Sequence, residues 1–267
     1  MQIGKLDIID APRDAVVQTL VQAAQSRDGE TRSACFCEAH LFVRAHREAA
    51  VLSALHSADF VFPDGTSLIL GARVMRHKLQ QRHPGPAVML ELCEAGQTAG
   101  LKHYFYGGRE GVGERLSDKL QQLYPEIQIV GHESPPFREL TAAEDLAVKQ
   151  RIEASGADIL WVGLGAPKQE LWMQQHREQI DVPLMMAVGA AFEYFSGDQK
   201  WAPAWMRKYG LEWFYRMTTG GPRLFKRYLK YVPLFGYVMA REAISQRLKR
   251  RPNKLMETDR PTRLPKP

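Results

Sequence analysis

Cysteine is scarce in this chain: there are three, an odd number, and two share the triplet Cys35-Phe-Cys37. That arrangement suits neither a disulfide framework nor a zinc site. Long apolar runs are missing as well. The nearest candidate, Val182 to Phe192, stops at Glu193, short of the roughly 18 residues a membrane span needs. The first residues, MQIGKLDIIDAPRD, hold acids where a secretory signal would carry an apolar stretch, so a reduced, cytoplasmic protein is expected. The chain has no internal repeat, no Walker A loop, no GxGxxG fingerprint and no DxD-like acidic motif. These absences argue against solenoids, P-loop chemistry, dinucleotide-dependent redox chemistry and a metal-held nucleotide. Neither a cofactor nor a metal is expected.

What is present fits a globular protein: 267 residues, 45% hydrophobic and 25% charged. The net charge of +6 conceals a division. Residues 199–267 hold 17 Lys and Arg against 4 Asp and Glu, whereas residues 1–198 hold 19 against 26. An acidic body with a basic tail points to a polyanionic partner for the tail. Aromatics interleave with these bases, from Trp201, Trp205 and Tyr209 through Trp213 to Tyr228, Tyr231 and Tyr237. Rings beside cations suit an anionic membrane surface, where they sit at headgroup depth. They also suit stacking on single-stranded nucleic acid, so a nucleic-acid-binding protein is the alternative reading.

Along residues 1–198 strand-like and helical segments alternate. Phe60 to Phe62, His103 to Tyr106, Ile127 to Val130, Asp158 to Gly163 and Val182 to Val188 read as strands. Ala11 to Ala24, Glu38 to Leu55, Val88 to Ala95, Val112 to Leu123, Ala142 to Ala154 and a segment beginning near Lys168 read as helices. Thr141 and Glu144 have capping-box spacing. The alternation predicts an α/β fold, a Rossmann-like, mostly parallel sheet with helices on both faces. Three parts follow: a catalytic body over 1–198, a basic, aromatic, helical C-terminal appendage over 199–250, and a disordered tail over 251–267.

Three motifs carry chemistry. In Pro63-Asp64-Gly65 an aspartate follows a strand, at the edge where open α/β sheets bind ligands, and could serve as a general base; a plain turn aspartate has the same signature. In Gly163-Leu164-Gly165-Ala166-Pro167-Lys168-Gln169-Glu170 a strand opens through two glycines into a helix. Its backbone N–H groups and Gln169 could hold a phosphate or a uracil edge. Finally, Gly210-Leu211-Glu212-Trp213 leads through Arg216 to Arg223, Lys226 and Arg227. Arg223 and Lys226 or Arg227 lie three or four residues apart, so one helix face could present both to a diphosphate.

Together and in this order, these blocks resemble the WecG/TagA/CpsF family of bacterial glycosyltransferases (glycosyltransferase family 26), over about Cys35 to Leu229. The resemblance implies an inverting, metal-independent transfer of a hexose from a UDP-sugar to a polyprenyl-diphosphate-linked sugar, in cell-surface or exopolysaccharide synthesis. It places the enzyme on the inner face of the cytoplasmic membrane, with a homo-oligomer as an option and no nucleic-acid partner. Asp64 then matches the general base, and Arg82, in Arg82-His83-Pro84-Gly85, an acceptor-diphosphate arginine. Gln169 matches a donor-site glutamine, and Arg216, Arg223 and Lys226 match appendage bases near the UDP diphosphate. Gly163 and Gly165 complete the expected substrate-binding set with Cys35 and Cys37, which stand where the family carries Thr-x-Asn. The family's Arg before Ala-Pro is Trp201 here, its Glu before Pro-Arg is Gly221, and its Asp after the Arg-x-x-Gly element is Ala87. With Thr and Asn replaced, the expected donor is UDP-glucose or a UDP-N-acetylmannosamine type.

Overall fold

The structure, a computed structural model, describes residues 1–249. A short antiparallel hairpin, β1 (Gln2–Ile3) and β2 (Leu6–Asp7), precedes α1 (Arg13–Gln25). Then come β3 (Arg32–Cys37), α2 (Ala39–Arg47), α3 (Ala49–Ser57), β4 (Phe60–Pro63), α4 (Thr66–Val74) and α5 (Gly85–Ala99). The chain continues through β5 (Lys102–Gly107), α6 (Val112–Leu123), β6 (Gln128–Glu133), α7 (Ala142–Ala154), β7 (Ile159–Gly163), α8 (Lys168–His176) and β8 (Leu184–Ala187). Four helices close it: α9 (Ala191–Phe195), α10 (Ala204–Lys208), α11 (Glu212–Thr219) and α12 (Gly221–Lys249).

Six strands form one parallel sheet in the order β4-β3-β8-β7-β5-β6. Successive side chains of a strand point to opposite faces, and both faces here are buried. Cys35, Cys37, Tyr106, Leu160, Val162 and Met185 join the core under α2, α3, α4, α7, α8 and α12. Phe36, Phe105, Trp161, Leu184 and Met186 join the opposite core under α1, α5, α6 and α9. The helices on both faces and the parallel sheet agree with the expected α/β, Rossmann-like class. The capping box of α7 is present too: Glu144 N donates to Thr141 Oγ1 (3.3 Å) and Thr141 N to Glu144 Oε2 (2.8 Å).

Several elements differ from the sequence reading. The strand β3, second in the sheet beside the edge strand β4, falls in a stretch the periodicity does not mark. The helix expected from Glu38 to Leu55 is two, because Glu48 leaves helical geometry at φ −124°, ψ 112°. The strand at Ile127 does not stop at Gly131 but runs on to Glu133. After Asp64 the chain turns at once into α4, which the composition does not announce.

The basic C-terminal segment is helical as expected, but its last helix shares the body's core. Phe235, Val238, Met239 and Ala243 recur at i, i+3, i+4 and i+8 and are buried together with α2 and α4. The division at residue 199 is therefore one of charge rather than of hydrophobic core. Arg250 and the tail expected over 251–267 lie outside the described residues. The ring of Phe235 lies 5.4 Å from that of Phe42 at 66°, so Phe235→Ala leaves a cavity between α12 and α2. The expected loss is about 3–5 kcal/mol of unfolding free energy, read as a lower urea midpoint.

Candidate active site

Adjacent parallel strands end in step, and at the carboxyl-terminal edge β3 delivers Glu38 and β4 delivers Asp64. The backbone N–H of Asp64 donates to Cys37 O (2.9 Å), which fixes the two carboxylates side by side. Asp64 is half-buried. Burial pushes its carboxyl up to about 7, and the charges of Glu38 and Glu212 add to this against the opposing pull of Arg216 and Arg82. A carboxyl poised near neutrality in this position can accept a proton from a hydroxyl at physiological pH.

Two segments bring cations to this edge. His83 N donates to Pro63 O (2.6 Å), so the segment before α5 sits against the end of β4 and carries Arg82 with it. Arg82 donates through Nη2 to Arg207 O and faces Glu212 Oε2 at 3.6 Å. The other segment is α11 with the start of α12. It is pinned where Thr66 Oγ1 donates to Gly210 O (3.1 Å). Gly210 has φ +73°, and a Cβ there would lie 2.5 Å from Thr66 Oγ1, so this contact demands glycine. Thus anchored, α11 and α12 aim Arg216 Nη1 at Glu38 Oε2 (3.9 Å) and Arg227 Nη2 at Glu38 Oε1 (3.3 Å). Although desolvation opposes it, Arg227 and Arg216 hold the Glu38 carboxyl below its ordinary value.

Among the residues expected from sequence, Asp64, Arg82 and Arg216 come together. Arg223 and Lys226 are exposed on α12, and it is Arg227, the other member of the i+3/i+4 choice, that turns toward Glu38. Gln169 is 4% exposed and its amide is spent within the chain. Oε1 accepts from Gly165 N (3.1 Å), and Nε2 donates to Glu170 Oε1 (2.9 Å) and Ala187 O (3.2 Å). Gln169 thus shapes the glycine turn from beneath rather than offering its amide to a ligand. Gly165 is exposed at the edge, whereas Gly163 is buried where a Cβ would meet the Phe192 ring at 2.5 Å. The expectation that Cys35 and Cys37 touch substrate is corrected. They are 1% and 0% exposed, point into the core beneath α2, and burial raises both thiols well above their usual range.

Sequence reasoning singled out none of Glu38, Glu212 and Glu170, and offered Arg227 only as the alternative to Lys226. Glu170 is 1% exposed, its carboxyl is pushed up to about 7 by desolvation, and its Oε2 has no partner among the described residues. Trp201, where the family resemblance has an arginine, donates from Nε1 to Glu212 Oε1 (2.9 Å), and the Arg207 guanidinium lies 3.7 Å from its ring centre. A cation therefore still occupies that neighbourhood, supplied from α10. Recognising Glu38 from sequence required seeing β3, since an acid directly after a strand lies at the ligand-binding edge.

The sequence model of the Glycosyl transferase WecG/TagA/CpsF family matches residues 1–249. The chain is also similar to a Staphylococcus aureus (strain MRSA252) protein named N-acetylglucosaminyldiphosphoundecaprenol N-acetyl-beta-D-mannosaminyltransferase. The two are 34% identical over 192 residues, which cover 72% of this chain and 73% of the relative. Its counterpart in strain NCTC 8325 / PS 47 is 33% identical over the same share. With its parallel sheet, its acidic strand ends and the arginines folded over them, the chain belongs to the WecG/TagA/CpsF family of glycosyltransferases.

Proposed function

We propose that this glycosyltransferase moves a hexose from a UDP-sugar to a sugar carried on a polyprenyl diphosphate, with inversion and without a metal. The observation that carries the reading is the placing of the Asp64 carboxyl at the sheet edge beside Glu38, within the field of Arg216 and Arg82. The acceptor class follows the named activity of the staphylococcal relatives. The Asp64 carboxylate takes the proton of the acceptor hydroxyl. The hydroxyl oxygen forms the new bond to the anomeric carbon as the bond to the diphosphate oxygen breaks, and UDP leaves with that electron pair. Arg216 meets the charge developing on the diphosphate, with Arg223 and Lys226 extending the positive field along α12. Arg82, held by Arg207 O and Glu212 within the field of Asp64, is the cation we assign to the acceptor's diphosphate. Because Cys35 and Cys37 are buried, the choice between UDP-glucose and UDP-N-acetylmannosamine falls to residues around the strand ends rather than to β3 itself.

The acceptor's lipid gives the basic helices their partner. Trp205, Tyr209, Phe225, Leu229 and Tyr237 are between 47% and 70% exposed, interleaved with Lys208, Arg223, Lys226 and Lys230. No helix among the described residues is long and apolar enough to cross a membrane. The face suits peripheral attachment to an anionic bilayer on its cytoplasmic side, where each cation near the surface contributes about 1 kcal/mol. The expected outcome is co-sedimentation with phosphatidylglycerol vesicles but weak binding to neutral ones, falling as salt rises. The double substitution of Trp205 and Phe225 by Ser should lower vesicle binding at least severalfold. Equal binding by that variant would remove the face from the role.

Asp64→Asn tests the base. General-base assistance contributes about 10²–10⁴-fold, so kcat should drop by that order while UDP affinity changes little. In the native enzyme, kcat/KM should climb with pH through an acid limb near 7, because only the ionised carboxyl accepts the proton. The same substitution should stabilise the fold. The Asp64 pKa is raised above its unfolded value, so its ionised form opposes folding as pH climbs through 7. The melting temperature of Asp64→Asn should therefore exceed that of the native protein at pH 8, and the gap should close near pH 4.

A further inference from the structure

Arg216 is held by a poor partner. Its contact with Glu38 is 3.9 Å, and that of Arg227 is 3.3 Å. Both are longer than the 2.7–2.9 Å of a well-formed charge-assisted hydrogen bond. Arg216 Nε is buried and has no acceptor among the described residues. A guanidinium has five N–H donors in a fork that matches phosphate oxygens, and here that capacity is unmet beside the reacting edge. Glu38 stands across from both arginines. It leaves β3 at the N-terminus of α2, makes no side-chain cap there, and its side chain is 20% exposed. Its two oxygens are divided between two cations from the C-terminal helices, the place a bridging phosphate oxygen pair would take.

We propose that Glu38 is an internal stand-in for the substrate diphosphate: it holds Arg216 and Arg227 over the strand ends and gives up Arg216 when the phosphates arrive. The proposal rests on the diphosphate-substrate reading above and adds to it a competition built into the chain. Anion binding then releases Glu38 from Arg216 and leaves it on Arg227. Glu38 remains beside Asp64, where its negative charge favours the protonated form of the base. Binding of the departing group and the proton affinity of Asp64 are thereby coupled through one side chain.

The groups facing Glu38 are Arg227, Arg216 and His40, with Asp64, Glu170, Tyr228 and Cys37 as further titratable neighbours. Those acting on Asp64 are Glu38, Glu212, Arg216 and Arg82. Of the acids in these two sets, Glu38 is the one paired with both Arg216 and Arg227 among the described residues. If it were merely a structural tie, its removal would loosen α11 and α12 and weaken anion binding. A stand-in gives the opposite sign.

The test is calorimetric titration of the full chain with UDP and, separately, with farnesyl diphosphate, for the native protein, Glu38→Gln and Glu38→Asp. Glu38→Gln should bind the displacing diphosphate about three- to tenfold more tightly, the size expected when a partly exposed ion pair stops competing. Glu38→Asp, which keeps the charge but shortens its reach, should fall between, and it supplies the comparison should Glu38→Gln fold poorly. Tightening for UDP alone assigns the displaced contact to the donor; tightening for farnesyl diphosphate alone assigns it to the acceptor. The acid limb of kcat/KM should also move to lower pH in Glu38→Gln, since a negative neighbour of Asp64 is gone and Arg216 is freed. Unchanged or weaker diphosphate binding in both variants, with native UDP binding intact, overturns the stand-in. Failure of the native chain to bind either diphosphate overturns the substrate reading instead.

Discussion

Glu38 and Asp64 leave neighbouring parallel strands in step, which forces two carboxylates into each other's field at one edge of the sheet. Two like charges so placed cannot both ionise freely unless something positive answers them. The answer comes from the far end of the chain: Arg216 and Arg227 reach Glu38, while Arg82 and Glu212 form a second pair beside them. The compensation is incomplete at Asp64, where burial and the neighbouring acids hold the carboxyl near 7 against the pull of Arg216 and Arg82. The proposed base depends on that balance, because full neutralisation by the arginines would leave a carboxylate with little affinity for a hydroxyl proton.

The split between an acidic body and a basic C-terminal segment follows from the same contact. The body supplies carboxylates at strand ends and the segment supplies the cations that fold over them, so part of the excess positive charge is used within the molecule. The rest, Arg223, Lys226 and their neighbours on α12, faces outward. One helix therefore has two duties along its length. Its first turns carry charge to the site and to the solvent side, and its later turns bury Phe235, Val238 and Met239 against α2 and α4. The apolar half holds the charged half in register with Asp64.

Much of this was legible in the sequence, and the parts that were not share a physical cause. The strands β5 and β7 announce themselves through apolar runs closed by glycine, and α6 and α7 through 3.6-residue periodicity with a capping box. The strand β3 does not. Buried on both faces, it has no alternation to read, and Arg32, Ser33 and two small cysteines blur its apolar run. Missing β3 hid Glu38, because an acid after an unseen strand looks like the first residue of a helix. Asp64 and Arg216 were legible because the motifs around them are unusual in composition. The direction of Gln169 was not: an amide can serve a ligand or the backbone, and only the turn geometry shows it bonded to Gly165, Glu170 and Ala187. The choice of Arg227 over Lys226 likewise depends on the rotation of α12 about its axis, which its buried C-terminal turns set.

The two sides of the site are built to different stiffness. On the sheet side, Asp64 is fixed by a backbone bond to Cys37, and the glycine turn is locked from below by Gln169, while Gly163 packs against Phe192. None of these contacts is an ion pair: they join backbone and neutral side-chain groups. On the helix side, the charged groups meet at 3.3–3.9 Å, largely buried, and the firm attachments are Thr66 to Gly210 before them and the apolar turns of α12 after them. On the proposed reading, adjustment on binding falls to Arg216, Arg227 and the turn between α11 and α12, which lie between these two attachments. The carboxylate that we propose as the base is thus held by its strand end, whereas the cations that we propose meet the phosphates are held by long ion pairs, and an exchange of counter-charges around a fixed proton acceptor is what that reading requires.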